Sequence, residues 1–371
     1  MKVPFFDYTE IYKSDYPIYT AALESVLKRS DFILRQDLKD FENNISDYSG
    51  AKFTAGVGNG TDAIWLGLKA LGISRGDEVI LPAHTYVATA DAVWSVGGTP
   101  VLVDIDDDHL ISPQAITEAL SQNTKAIIPV NLNGRAAPLE EISKISSKHG
   151  IPFIEDNAQG LGARLNGKMT GTFGAIGTLS FFPAKILGGL GDGGAVMTND
   201  EYLFGKLLLL RNHGRNEKNE VVEWGYNSRL DNLQAAILNS KLKKLTENIN
   251  IRRNIADIYF EELSECEEIV LPQAVSGNDD HFVTYQNFEI EVKFRDELIN
   301  YLSICGIGTL LPWGGKGLHE FGLKGVVEKD LTNTKRLFPR ILLLPMNQYM
   351  KIEQALYVSR CIKNFYSKKI G

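Results

Sequence analysis

Cysteine is scarce. The 371-residue chain has three, Cys266, Cys305 and Cys361, an odd and widely spaced set that fits neither a disulfide framework nor a paired-cysteine metal site. They are expected to be buried apolar fillers in a reducing compartment. Long hydrophobic runs are missing too. No stretch approaches the roughly twenty apolar residues of a membrane span, and Met1–Asp7 lacks the apolar core of a secretory leader. A soluble, cytoplasmic protein is the expectation. Positive charge is not in excess: 39 Lys and Arg stand against 46 Asp and Glu, a formal net charge of −7 with no basic patch, which argues against nucleic acid as a partner. There is no internal repeat. What the chain has is length and 44% hydrophobic content, ample for one large domain and a smaller second one.

The most unusual stretch is Ser180-Phe-Phe-Pro-Ala-Lys185 and the turn after it, residues 188–194, which holds five glycines. Lys185 is the one charged residue between Thr178 and Leu190. A solvated surface lysine is the plain reading, but the apolar flanks argue against it. Desolvation lowers a lysine pKa and yields a nucleophilic amine of the kind an aldehyde cofactor binds covalently. Upstream, Ile151–Asp156 reads as a buried strand ending in a carboxylate, with Gln159 just beyond. An acid at the carboxyl end of such a strand sits where α/β sheets bind ligands. Asp is also a common helix N-cap; the pairing with Lys185 is what makes the signal specific. Pyridoxal phosphate needs this combination: a carboxylate such as Asp156 against the ring nitrogen, a donor such as Gln159 at the ring oxygen, and an amine such as Lys185.

From Lys52 to about Thr246, strand-like apolar runs alternate with helical patterns, predicting a mostly parallel sheet with helices on both faces. A glycine-rich strand end at residues 56–60 runs into a helix, and Gly60 and Thr61 at its start are candidates for a phosphate site, joined by the Ser180 hydroxyl. Leu242–Tyr259 reads as a long amphipathic bridge to a small C-terminal α+β unit containing strands at 288–292, 307–311 and 342–346.

The set Ile154-Glu-Asp156-Asn-Ala-Gln159-Gly160, Ser180–Lys185 and Gly191–Gly194 resembles the DegT/DnrJ/EryC1/StrS family over nearly the whole chain. The resemblance implies a fold type I (aspartate aminotransferase-like) architecture, with a large pyridoxal-phosphate domain at 1–248 and a small C-terminal domain at 249–371. It implies a homodimer with active sites at the interface, in which Asn227 reaches the neighbouring subunit's cofactor phosphate and Arg229 lies near substrate. Helix capping is the plain alternative for Asn227. Tyr86 matches the family aromatic that stacks on the pyridine ring. The implied reaction moves an amino group from L-glutamate, leaving 2-oxoglutarate, to a keto nucleotide sugar. The loop after Lys185 leans to C3 of a dTDP-3-keto-6-deoxyhexose over C4 of a 4-keto sugar. Two departures stand out. Asn131 stands where many relatives have a histidine, and Asn131–Gly134 is read as a site-facing loop; a Trp313-Gly-Gly-Lys316 loop with His319 replaces the usual substrate loop. Trp313 could stack on a sugar or base and Lys316 could meet a diphosphate; a packed indole beside a surface lysine is the plain alternative. A non-catalytic regulatory protein, or a lyase or desulfurase using Cys305, are the competing classes.

Overall fold

The computed structural model describes residues 1–273 and 281–370. Helices α1 (Tyr8–Arg29) and α2 (Gln36–Ser49) come first. Alternation follows through β1 (Phe53–Val57), α3 (Gly60–Ala70), β2 (Glu78–Pro82), α4 (Val87–Ser95), β3 (Thr99–Val103), α5 (Pro113–Ala119), β4 (Thr124–Ile127), α6 (Leu139–His149) and β5 (Ile154–Asp156). A hairpin of β6 (Arg164–Leu165) and β7 (Lys168–Met169) precedes β8 (Ile176–Ser180), β9 (Gly194–Thr198), α7 (Glu201–Leu210), α8 (Asn232–Leu242) and α9 (Leu245–Leu263). The rest comprises β10 (Ile269–Val270), β11 (His281–Phe282), β12 (Phe288–Val292), α10 (Arg295–Ile304), β13 (Val327–Glu328), α11 (Thr332–Leu337), β14 (Ile341–Leu344) and α12 (Ile352–Ile370).

Local chemistry sets many of these boundaries. Gly50, at φ 78°, closes α2 in a conformation that a side chain would strain. Ser112 caps α5, with Pro113 in its first turn, and the Asp200 carboxylate accepts from the Tyr202 and Leu203 N–H groups to start α7. The strands Glu78–Pro82, Thr99–Val103 and Ile176–Ser180 are mostly apolar and buried on both faces but for one half-buried end residue each, the pattern of sheet strands under helices.

Two four-stranded sheets, in the orders β13-β3-β2-β4 and β1-β9-β8-β5, meet through parallel bridges Ile127–Phe153 and Val130–Asp156. Within the combined sheet only the pairings of β9 are antiparallel. A separate antiparallel sheet, β10-β12-β14, shares one apolar core with α9, α10 and α12. Helix α9 spans both cores: Leu245 and Ile249 pack with Phe41 and Leu230, while Tyr259 and Leu263 pack with Phe288 and Leu344. The expected strand at 307–311 is not formed. Only Ile307 and Leu310 make bridges, to Val3 and Leu343, because the segment runs beside the N-terminal residues. Among the described residues, no helix is long and apolar enough to cross a membrane.

Where β2 and β3 end against β12 lies a buried charge cluster. His109 Nδ1 is 2.9 Å from Glu289 and its Nε2 is 3.1 Å from Glu291; His84 Nε2 lies 3.5 Å from Glu289, and Arg340 is 3.1 Å from Glu291. Burial works against the His109 charge, but the two carboxylates outweigh it and raise the pKa to about 9. The folded-state pKa is above that of the unfolded chain. The stabilisation from His109 is therefore fully present below about pH 6.5 and lost as pH rises through about 9. His109→Asn is expected to cost about 2 kcal/mol at pH 6. The gap in thermal midpoint between variant and wild type should close as the scan is repeated toward pH 9.5, and a gap independent of pH would refute the assignment.

Candidate active site

The carboxyl ends of β1, β2, β5 and β8 open at one edge of the sheet, and the candidate residues gather there. At the start of α3 the Asn59 side chain accepts from the Asp62 N–H at 2.8 Å, a cap worth about 1 kcal/mol. Gly60 follows so closely on β8 that a Cβ would stand 2.7 Å from Ser180 Cβ, and a Cβ on Gly194 would stand 2.3 Å from the Asn59 carbonyl oxygen. Glycine at both positions lets the helix terminus, Thr61 and the Ser180 hydroxyl share one small volume. Free N–H groups and the helix dipole favour an anion there.

Asp156 closes β5 and is buried. Its Oδ2 accepts from the Thr89 hydroxyl at 2.8 Å and its Oδ1 from the Ala158 N–H at 3.2 Å. Burial raises its pKa, opposed by these donors and by the charge of Lys185. Among the described residues no ion pair reaches the carboxylate, and Lys185 acts on it only at longer range. Strand alternation turns the neighbouring Glu155 the other way, where Asn131 and the N–H groups of Phe173 and Gly174 hold it.

Lys185 lies in the loop between β8 and β9. Burial lowers its pKa to about 8 against the upward pull of Asp156. The loop is pinned on both sides of the lysine by Gln286, whose amide donates to the Ala184 carbonyl at 3.0 Å and accepts from the Ile186 N–H at 2.9 Å. Gln234 accepts from the Leu190 N–H at 2.9 Å and so holds the glycine turn. Gln159 Oε1 accepts from the Asn133 N–H at 2.8 Å and from Asn287 Nδ2 at 3.1 Å, which leaves its NH2 group free to donate.

Sequence reasoning missed Thr89, Gln286 and Asn287. Thr89 lies one helical turn after Tyr86 and was findable by that spacing. The glutamine and asparagine precede an ordinary strand and carry no local signal. The Tyr86 ring is exposed at the start of α4. Asn227 is exposed and does not cap α8, whose N-cap is Asp231; it pairs by backbone with Asn212, to whose side chain Arg229 donates at 3.1 Å. Within the 131–134 loop the Asn131 side chain turns away from the site, fully buried and bonded to Glu155, Asn157 and the Ala137 N–H, while Asn133 meets Gln159 through its backbone N–H. Trp313 packs between Phe338 and Leu132 with its ring 5.2 Å from that of His84, while Lys316 is exposed and His319 lies against Phe338.

These groups match the features of pyridoxal phosphate one for one. They offer an anion-binding helix end for the phosphate, a cation-poor buried acid for the ring nitrogen, a free amide donor for the ring oxygen, and an amine with lowered pKa for the aldehyde. The sequence profile of the DegT/DnrJ/EryC1/StrS aminotransferase family matches residues 18–363. The chain belongs to this family. The chain is 39% identical, over 91% of each sequence, to the UDP-N-acetyl-3-dehydro-alpha-D-glucosamine 3-aminotransferase of Acidithiobacillus ferrooxidans. It is 40% identical, over 99% of each sequence, to a pleiotropic regulatory protein of Geobacillus stearothermophilus. The solved structure of ntda from Bacillus subtilis with bound cofactor PMP superposes with a TM-score of 0.90 at 31% identity, covering 99% of this chain and 85% of that one. This family member is thus a fold type I aminotransferase whose cofactor is pyridoxal 5′-phosphate.

Proposed function

We propose that the enzyme transfers an amino group from L-glutamate to C3 of a keto nucleotide sugar, with a dTDP-3-keto-6-deoxyhexose as the acceptor; C4 of a 4-keto-6-deoxy sugar is the alternative. The observation that carries the chemistry is the pairing of Lys185 and Asp156 in one site, the amine lowered to about 8 by burial. The C3-acting relative and the Gly191–Gly194 loop support the position of amination. When bound, pyridoxal phosphate offers a carbon that accepts amines and a ring that takes up electrons from the bond next to the amino group. The chain's residues do the rest. Gly60, Thr61 and Ser180 would hold the phosphate, Tyr86 would stack on the ring, Asp156 would keep the ring nitrogen protonated, and Gln159 would donate to the ring oxygen. Lys185, neutral above about pH 8, takes a proton at its Nζ and returns it two atoms away, across the amino nitrogen, in a 1,3 shift.

The same reading assigns a cytoplasmic homodimer, in which the outward-facing Asn227 completes the partner's phosphate site, with Arg229, Lys316 and His319 toward the sugar nucleotide. It places the domain division at 248/249, within α9. Trp313 contributes to substrate contact only at the edge of its packed position.

The first test is an absorbance spectrum of the purified protein before and after L-glutamate is added without sugar. A visible band that bleaches supports the aminotransferase, and a panel of keto sugars then sets the acceptor. The regulatory relative, at 40% identity, favours one competing reading, a cofactor-binding protein without turnover. A band indifferent to every amino donor would establish that reading instead. The desulfurase reading lacks support, because Cys305 caps the end of α10 and packs, half-buried, against the C-terminal core.

A further inference from the structure

The segment Thr284–Asn287 enters β12 through a strained turn. Tyr285 has φ 48°, which a bulky L-residue adopts only when its surroundings compel it. The compulsion comes from two sides. Arg252 of α9, fully buried, makes five hydrogen bonds, to the carbonyls of Tyr285, Gln286 and Met346 and twice to Gln348. From the other side the Thr284 N–H donates to the Gly134 carbonyl at 3.0 Å, and a Cβ on Gly134 would stand 2.8 Å from the Tyr285 nitrogen. The turn is held by backbone contacts that leave the next two side chains free for other partners.

Those side chains reach two different parts of the site. The Gln286 amide brackets Lys185 through Ala184 and Ile186. Asn287 Nδ2 donates to Gln159 Oε1 at 3.1 Å and to Asn133 Oδ1 at 2.9 Å. A glutamine amide can present either its oxygen or its nitrogen to a ligand, and the two outcomes are chemically opposite. With Asn287 and the Asn133 N–H both donating to its oxygen, Gln159 can present only its NH2 group.

We infer that Gln286 and Asn287 are a paired positioning element, in which Gln286 fixes the backbone that carries Lys185 and Asn287, together with the Asn133 N–H, sets which end of the Gln159 amide faces the cofactor. The inference rests on the roles proposed above for Lys185 and Gln159. Neither residue touches the reacting atoms. Both act through a neighbour, from a segment 100 residues or more distant in sequence from it.

The test uses the wild-type protein and the variants Asn287→Asp and Gln286→Ala, each loaded with pyridoxal 5′-phosphate and checked by circular dichroism. In Asn287→Asp one of the two donors to the Gln159 oxygen becomes a carboxylate that repels it, and only the Asn133 N–H still holds the amide in place. Donation to the cofactor's ring oxygen then weakens, and that oxygen holds the neighbouring proton more tightly. The pH midpoint of the visible absorbance change is expected to rise by about one unit. In Gln286→Ala the midpoint should stay in place. The single-turnover rate with saturating L-glutamate should fall about tenfold, and the half-saturating concentration should change less than about twofold. Gln286→Glu, which keeps the acceptor for Ile186 and loses the donor to Ala184, should fall between wild type and Gln286→Ala; it carries the test if the alanine variant does not fold. Wild-type midpoint and rate in these variants would overturn the inference. A wild-type protein that forms no visible band would overturn the functional reading, and the inference with it.

Discussion

Lys185→Ala is expected to lower the single-turnover rate of amine transfer from L-glutamate by about 10³-fold or more, roughly 4 kcal/mol of barrier. Two roles are lost together: the covalent attachment point and the group that relays the proton. The structure indicates why lysine suits both. Burial holds its amine at about pH 8, so about a tenth is neutral at pH 7, far more than for an exposed lysine, while Asp156 keeps the value from falling further. Lys185→Arg separates charge from chemistry. It keeps a cation in place but cannot become a neutral amine near pH 8, and it is expected to be as inactive as the alanine variant. A second readout needs no turnover. In protein stripped of cofactor, labelling of Lys185 by an amine-specific reagent should rise through about pH 8, below the range of exposed lysines. Wild-type borohydride treatment with cofactor should leave a permanent mass increase on the peptide carrying Lys185, absent from Lys185→Ala. Activity of either variant within tenfold of wild type would remove Lys185 from the centre of the site.

The parts of this site legible in the sequence are those whose chemistry is abnormal for their surroundings. A lysine in an apolar run, an acid ending a buried strand and five glycines in one turn are each costly unless used, and Lys185, Asp156 and the 188–194 turn stood out for that reason. The sheet was legible because parallel strands buried on both faces read as continuous apolar runs. What failed or was missed depends on tertiary partners. Residues 307–311 look like a strand, yet the chain beside Ile307 is the N-terminal Val3 and pairing stops after isolated bridges. Asn131 follows a strand at the site edge, but the need to satisfy the buried Glu155 turns its side chain inward. Gln286 and Asn287 carry no periodic signal, because their partners lie across the fold.

The second large effect belongs to Asp156. Asp156→Asn keeps the size of the side chain and an acceptor for the Thr89 hydroxyl, so the pocket should survive while the charge is lost. The expected result is retained cofactor binding with a rate of amine transfer lower by about 10³-fold, because a neutral amide cannot hold the ring nitrogen protonated. Thr89→Val should act in the same direction and much more weakly. It removes one of the donors that oppose the burial-driven rise in the Asp156 pKa, so activity should fall off at a higher pH on the acid side than in wild type. A structural role for Asp156 predicts something different: loss of thermal stability in both variants and no dependence on the cofactor's charge. Reconstituting Asp156→Asn with an analogue methylated on the ring nitrogen distinguishes the two. The analogue carries its positive charge permanently and should restore a substantial part of the rate if the carboxylate's task is to maintain that charge. It should restore nothing if Asp156 serves only to pack and cap the end of β5.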